Sequence, residues 1–172
     1  MRIKIILAVL FLALFGWITY EKLTEPKTAY VLITDVYNGF DMKKEMEQKF
    51  TKTKDARQKV LDSLEFELKM LVNKIEADNK KDEAEIQNFN EKKAEYLHRK
   101  QQLEQDNDAL GKEYDQQILT QLNQSLKDYG KENGYQYIFG NDGNGSLLYA
   151  EENKNITTEV IPYINAKYKG LK

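Results

Sequence analysis

From Val36 to Ala77 the chain runs without proline and with a single glycine, Gly39, while its apolar residues return every seven positions. Taking 40, 47, 54, 61, 68 and 75 as a positions and 36, 43, 50, 57, 64 and 71 as d positions puts Val36, Phe40, Phe50, Leu61, Leu64, Leu68, Leu71 and Ile75 on one seam. Lys43, Glu47, Lys54 and Arg57 take the other four places. A seam that long needs a facing helix, so the segment reads as half of a coiled coil with a firm outer end and a wet middle. Asp78–Asp82 contains no apolar residue and reads as a reversal. A second helical run follows from Glu83 to about Tyr129, with Phe89, Tyr96, Leu103 and Leu110 at sevens and Lys93, Lys100, Asn107 and Tyr114 at the alternate seam sites. A turn at Lys80 makes opposed residue numbers sum to about 160, pairing Leu71 with Phe89, Leu64 with Tyr96 and Phe50 with Leu110. Apolar then meets apolar along the whole length, which predicts an antiparallel hairpin over 36–129, with arms of roughly 60–70 Å.

Charged residues make up 31% of the 172-residue chain and prolines number two, which suits long solvated helices. No cysteine is present, excluding disulfides, thiolate catalysis, cysteine-ligated zinc and a lipoprotein anchor. Residues 1–27 stand apart: Arg2 and Lys4 precede an apolar run from Ile5 to Ile18, with Trp17 and Tyr20 at its far edge. They read as an export segment plus linker, either a cleaved signal peptide or an uncleaved anchor holding the protein in the inner membrane through residues 3–20. Without those 27 residues the chain keeps 22 basic and 26 acidic side chains, which argues against a nucleic-acid partner, since that would call for a basic face.

Residues 28–35 and 130–172 form the predicted β-rich head. Ala29–Asp35 carries a first strand, with Thr34 or Asp35 capping the helix behind it. Gly130 and Gly134 end the second long helix, Tyr135–Phe139 is a second strand, and Ser146–Ala150 is a third, paired with it across the Gly140–Gly145 turn. A last helix runs from about Thr158 to Tyr168, capped by Thr157 or Asn155. Three short strands cannot bury two faces, so other subunits are expected to complete the head.

No residue set points to catalysis, a metal or a cofactor. His98 is the one histidine and lies on a solvated face. Glu83, Glu85, Glu91 and Glu95 alternate with Lys80, Lys81, Lys92 and Lys93 as ordinary helix-surface pairs. The Gly140–Gly145 loop lacks the Lys-Ser/Thr of a phosphate loop and the distal acid of a calcium loop. Asn123, Asn144 and Asn155 head weak glycosylation triplets.

Ala29-Tyr30-Val31-Leu32-Ile33-Thr34-Asp35-Val36-Tyr37 resembles the opening strand-to-helix passage of the Skp (OmpH-like) family. Gly134-Tyr135-Gln136-Tyr137-Ile138-Phe139, Leu147-Leu148-Tyr149-Ala150 and Asn155-Ile156-Thr157-Thr158-Glu159-Val160 are similar to its closing block, and the likeness spans about 28–167. It implies an α+β, mainly helical fold, with a long antiparallel coiled-coil hairpin arm on a small β-stranded trimerisation head. It further implies a homotrimer in the periplasm of a Gram-negative-type envelope, an ATP-independent holdase chaperone whose partners are unfolded outer-membrane proteins. The other reading of the arms is an anchored scaffold for one folded partner. Phe50, Leu61, Leu64, Leu68, Leu71, Phe89, Tyr96 and Leu103 are the expected client-binding residues, each facing either the client or the opposite helix. Unlike the family's basic, signal-cleaved chaperone, this chain is mildly acidic.

Overall fold

The computed structural model describes residues 25–77 and 82–170. The predicted export segment and most of the predicted reversal, 78–81, lie outside them. In chain order the elements are strand β1 (Thr28–Leu32), helices α1 (Ile33–Gly39), α2 (Asp41–Ala77) and α3 (Glu83–Glu132), strand β2 (Tyr137–Asn141), a short 3-10 turn (Glu152–Lys154) and helix α4 (Thr157–Gly170). Two compact units form, one from residues up to 36 together with 124–164, the other from 37–123 and 165–172.

The first unit is built on β1. Parallel pairing joins it to β2 in the register Thr28↔Tyr137 to Leu32↔Asn141, and on its other side Tyr30 bridges Asn155. The Ile156 N–H donates to the Tyr30 carbonyl at 3.0 Å. Ala29, Val31, Val36, Ile156, Val160 and Ile164 close over the core, which suits the apolar alternation of the strand and the periodicity of α4. Helix α1 starts at Ile33, so Thr34 and Asp35 sit in its first turn and do not cap it. Asn155 takes the capping role on α4: its Oδ1 accepts the Thr157 N–H at 3.0 Å and the Thr157 hydroxyl at 2.6 Å. The Thr157 Oγ1 in turn accepts the Leu32 N–H at 2.9 Å, tying the helix start to the end of β1.

Gly130 does not end α3. It lies buried within the helix, because a Cβ there would stand 3.3 Å from the Ile138 side chain of β2. Termination falls at Gly134, whose φ of 69° follows a left-handed turn closed by Tyr135 N–H to Gly130 O and Gly134 N–H to Lys131 O.

The predicted third strand is absent. Ser146–Ala150 carries no regular structure, and Leu148 and Tyr149 are 91% and 82% exposed. Asn141 and Asp142 instead bend the chain through side-chain bonds to the N–H groups of Gly143 and Asn144. Gly143 and Gly145 have positive φ while Asn144 separates them, a pattern that does not make the tight two-residue turn a hairpin needs.

The second unit is the arm, and here the expected uninterrupted helix from Val36 is corrected: the chain breaks at Phe40. Phe40 is fully buried with its ring edge-on to Tyr168, 5.6 Å between centroids. Asp82 begins α3 as its cap, its side chain accepting the Ala84 N–H at 2.9 Å. The hairpin register agrees with expectation. Lys74–Glu85 (2.6 Å) and Glu67–Lys92 (3.7 Å) each have residue numbers summing to 159, and the Phe50 ring faces Gly111.

The repeat along the seam is not a single heptad. Toward the tip, Leu61, Leu64, Leu68, Leu71 and Ile75 follow steps of three and four, opposite Glu85, Phe89, Lys92, Tyr96 and Leu103. Toward the base the protected residues are Met42, Met46, Phe50, Thr53, Arg57 and Leu61, an 11-residue repeat that Leu103, Asn107, Tyr114 and Ile118 match on α3. Glu47, Lys54, Lys93 and Lys100, placed on the seam by the heptad, are therefore exposed. Both helices change repeat at one level, marked by Arg57 Nη1 donating to Asn107 Oδ1 at 2.6 Å. An 11-residue repeat removes the left-handed supercoiling that a seven-residue repeat imposes.

Candidate binding surfaces

Apolar residues on a helix pair divide between those the partner helix covers and those it does not. The eight expected client residues fall in the first group. Leu61 is buried at the change of repeat, and Phe50, Leu64, Leu68, Leu71, Phe89, Tyr96 and Leu103 are half-buried along the seam. The structure brings them together as the hairpin's own interface.

The second group was not anticipated. Phe66 and Met70 are 65% and 54% exposed, four residues apart on one face of α2, and Val60 and Leu97 are similarly exposed. Phe66 and Met70, with Leu71, Asn73 and Asn88, border a shallow groove edged by Lys74, Lys92 and Glu67. The sequence signal was available: Phe66 and Met70 are large apolar residues off the seam, with nothing in the hairpin left to cover them.

Electrostatically the groove is balanced. Lys92 bridges Glu95 at 3.0 Å and Glu67 at 3.7 Å, and the Glu95 contact, then Glu67, raises its pKa above the ordinary lysine value. His98 stands exposed on α3, and no cluster of three metal-ligating side chains occurs among the described residues. No described helix is long and apolar enough to cross a membrane.

The first unit carries a separate apolar surface. β2 pairs with β1 along one edge, and the Tyr137 and Phe139 rings stack exposed at 6.1 Å. Leu148 and Tyr149 add to the uncovered apolar area of this unit.

A long antiparallel helical hairpin inserted between the strands of a small parallel sheet defines an α+β chain with a coiled-coil arm. The family model for outer membrane protein (OmpH-like) matches residues 27–164, and the chain belongs to that family. Among solved structures, it is similar to the crystal structure from Caulobacter crescentus CB15 described as an outer membrane chaperone (OmpH-like). The TM-score is 0.58 at 12% identity, over 84% of this chain and 86% of that one, a likeness of fold. No curated protein matches the sequence.

Proposed function

We propose that this protein is an ATP-independent holdase chaperone of the cell envelope that keeps unfolded outer-membrane proteins from aggregating. The exposed Phe66–Met70 face of the arm carries the reading. A two-helix arm gains nothing in its own stability from large apolar side chains left in water, whereas a surface that must hold many unrelated unfolded chains needs them. Contact is broad and weak, made first by Phe66, Met70, Val60 and Leu97. The seam residues Phe50, Leu61, Leu64, Leu68, Leu71, Phe89, Tyr96 and Leu103 join where the helices part.

The working form is a homotrimer. Its head, from 28–35 and 130–172, closes when the open edge of β2 and the exposed Tyr137, Phe139, Leu148 and Tyr149 meet the same elements of other copies. The arm is 36–129, and the apolar run at the N-terminus delivers the chain to the periplasm, cleaved or retained as an inner-membrane anchor. No catalytic step, metal or cofactor enters.

The test is aggregation of several unrelated unfolded barrel proteins, followed by light scattering with and without the full chain. Suppression of all of them at near-stoichiometric trimer supports the holdase. Binding to one folded partner, without suppression, would establish the scaffold instead. Light scattering of the protein alone should return a trimer mass, and a monomer stable at micromolar concentration refutes the assembly.

A further inference from the structure

At the base of the arm, α2 and α3 part around a half-open cavity of about 500 Å³, of whose lining the holdase reading uses Phe50 alone, and it is within the size range of small-molecule sites. Its walls are aromatic and apolar: Tyr37, Phe50 and Tyr114, with Met46 and Ile118. Gly111 keeps it open. A Cβ there would meet the Phe50 ring at an ordinary 3.8 Å, so close packing does not require the glycine, and a larger side chain would fill the space.

Two carboxylates line the cavity, Glu47 and Asp115, and no cationic side chain does. Glu47 is already compensated, since the Lys43 ammonium lies 3.1 Å from it, 3.0 Å from the Asn38 side-chain oxygen and 5.4 Å from the centre of the Tyr37 ring. Among the described residues no cationic side chain pairs with Asp115. Its Oδ1 accepts the Tyr37 hydroxyl at 2.9 Å, and that phenol stays neutral because burial, and then Asp115 itself, raise its pKa to about 12. One uncompensated negative charge therefore stands beside three aromatic rings. Ring faces and a carboxylate both attract a cation, and an apolar wall favours one that carries a hydrocarbon body.

We propose that this cavity is a binding site for an organic ammonium compound with an aromatic or aliphatic body, its charge at Asp115 and its body against Phe50 and Tyr114. The Lys43 ammonium, 5.4 Å from the centre of the Tyr37 ring, shows the same preference satisfied within the chain.

The probe is phenethylammonium, with 2-phenylethanol as its neutral isostere, titrated into the full chain at pH 7 and followed by the amide shifts of Gly111 and Tyr114. Asp115 is exposed, so the ammonium compound should bind about threefold more tightly than the alcohol, the scale of a cation contact at a solvated site. Asp115→Asn, which keeps an acceptor for the Tyr37 hydroxyl, should bring the two affinities together. Gly111→Leu should abolish both titrations at the Tyr114 amide while leaving the helical content unchanged. Equal affinities in the native protein, no effect of Asp115→Asn, or no saturable shift with either probe overturns the proposal. So does a Gly111→Leu protein with altered subunit number and a native protein deaf to both probes, since a second copy would then fill the cavity.

Discussion

The side chain of Asn165 spans the break before Asp41: its Oδ1 accepts the Asp41 N–H at 2.8 Å, and its Nδ2 donates to the Gly39 carbonyl at 2.9 Å. One amide thus satisfies a main-chain acceptor before the interruption at Phe40 and a main-chain donor after it, two of the groups that a helix break leaves without helical partners. Around it Lys169 pairs with Asp41 at 3.2 Å, and the Tyr168 hydroxyl donates to Glu45 at 3.0 Å. The end of α4 acts as a splint on the start of the arm.

Asn165→Ala should therefore destabilise the protein by about 1–2 kcal/mol in urea unfolding, the scale for part-buried hydrogen bonds left unmade. Asn165→Asp is the sharper variant. It keeps an acceptor for Asp41 N–H but sets a carboxylate against the Gly39 carbonyl, so it should be at least as damaging as alanine. An aspartate variant as stable as the native protein would mean the bond to Gly39 contributes nothing.

The arm base also carries a signature at high pH. The Tyr37 phenol has its pKa raised to about 12 by burial and by Asp115, above the unfolded value of about 10. Its contribution to stability is complete below the unfolded value and falls as pH rises from there toward 12, because the unfolded chain ionises first. Subtracting Tyr37→Phe from the native protein cancels the lysines. The difference should be flat below about pH 9 and decline above 10, and one that stays flat to the end shows that the phenol is not held.

Asp41 behaves oppositely. The hydrogen bond from Lys169, helped by Lys44, lowers its pKa, so its contribution is present above the ordinary aspartate range and is lost as pH falls through the lowered folded value. Lys169→Gln should weaken this acid-side dependence, the remainder resting on Lys44, and leave the alkaline one untouched, read as stability against pH for the two proteins.

Much of the hairpin was legible because its register follows from apolar spacing alone, and Leu71 opposite Phe89 needs no knowledge of the head. The base of the arm was harder to read. Heptad and 11-residue repeats use the same steps of three and four, and apolar residues are sparse between Met46 and Leu61, so the heptad ran on through Glu47 and Lys54 where Met46 and Thr53 turn inward. Phe40 fitted the seam by spacing, yet its break depends on Asn165, more than a hundred residues away. Ser146–Ala150 has the composition of a strand but pairs with no strand among the described residues, which composition cannot reveal. Phe66 and Met70 lie off the heptad positions, and a periodicity argument assigns no role to apolar residues outside the seam.

Seam and exposed stripe make separable predictions. Leu61→Ala removes a buried side chain and should cost about 2–4 kcal/mol of stability. Phe66→Ser with Met70→Ser touches side chains already in water, so its effect on unfolding should stay within about 0.5 kcal/mol per site, while suppression of client aggregation falls severalfold. A double variant that loses stability but still protects clients would return the client contact to the seam.

Salt decides between charge and apolar capture. Along the groove the charges are paired, Lys74 with Glu85 and Lys92 with Glu67 and Glu95, and exposed charges are screened beyond about 8 Å at physiological ionic strength. Client affinity should then change little between low salt and about half-molar salt, since apolar burial of roughly 25 cal/mol per Å² is not screened. A few hundred Å² of such contact, shared over several arms, is enough to hold a client loosely. Affinity of one unfolded barrel protein, measured across that range beside a basic member of the same family, separates the two. A steep loss with salt in this chain would show that charge drives capture, and would locate it away from the Phe66–Met70 groove, where every ammonium already has a carboxylate.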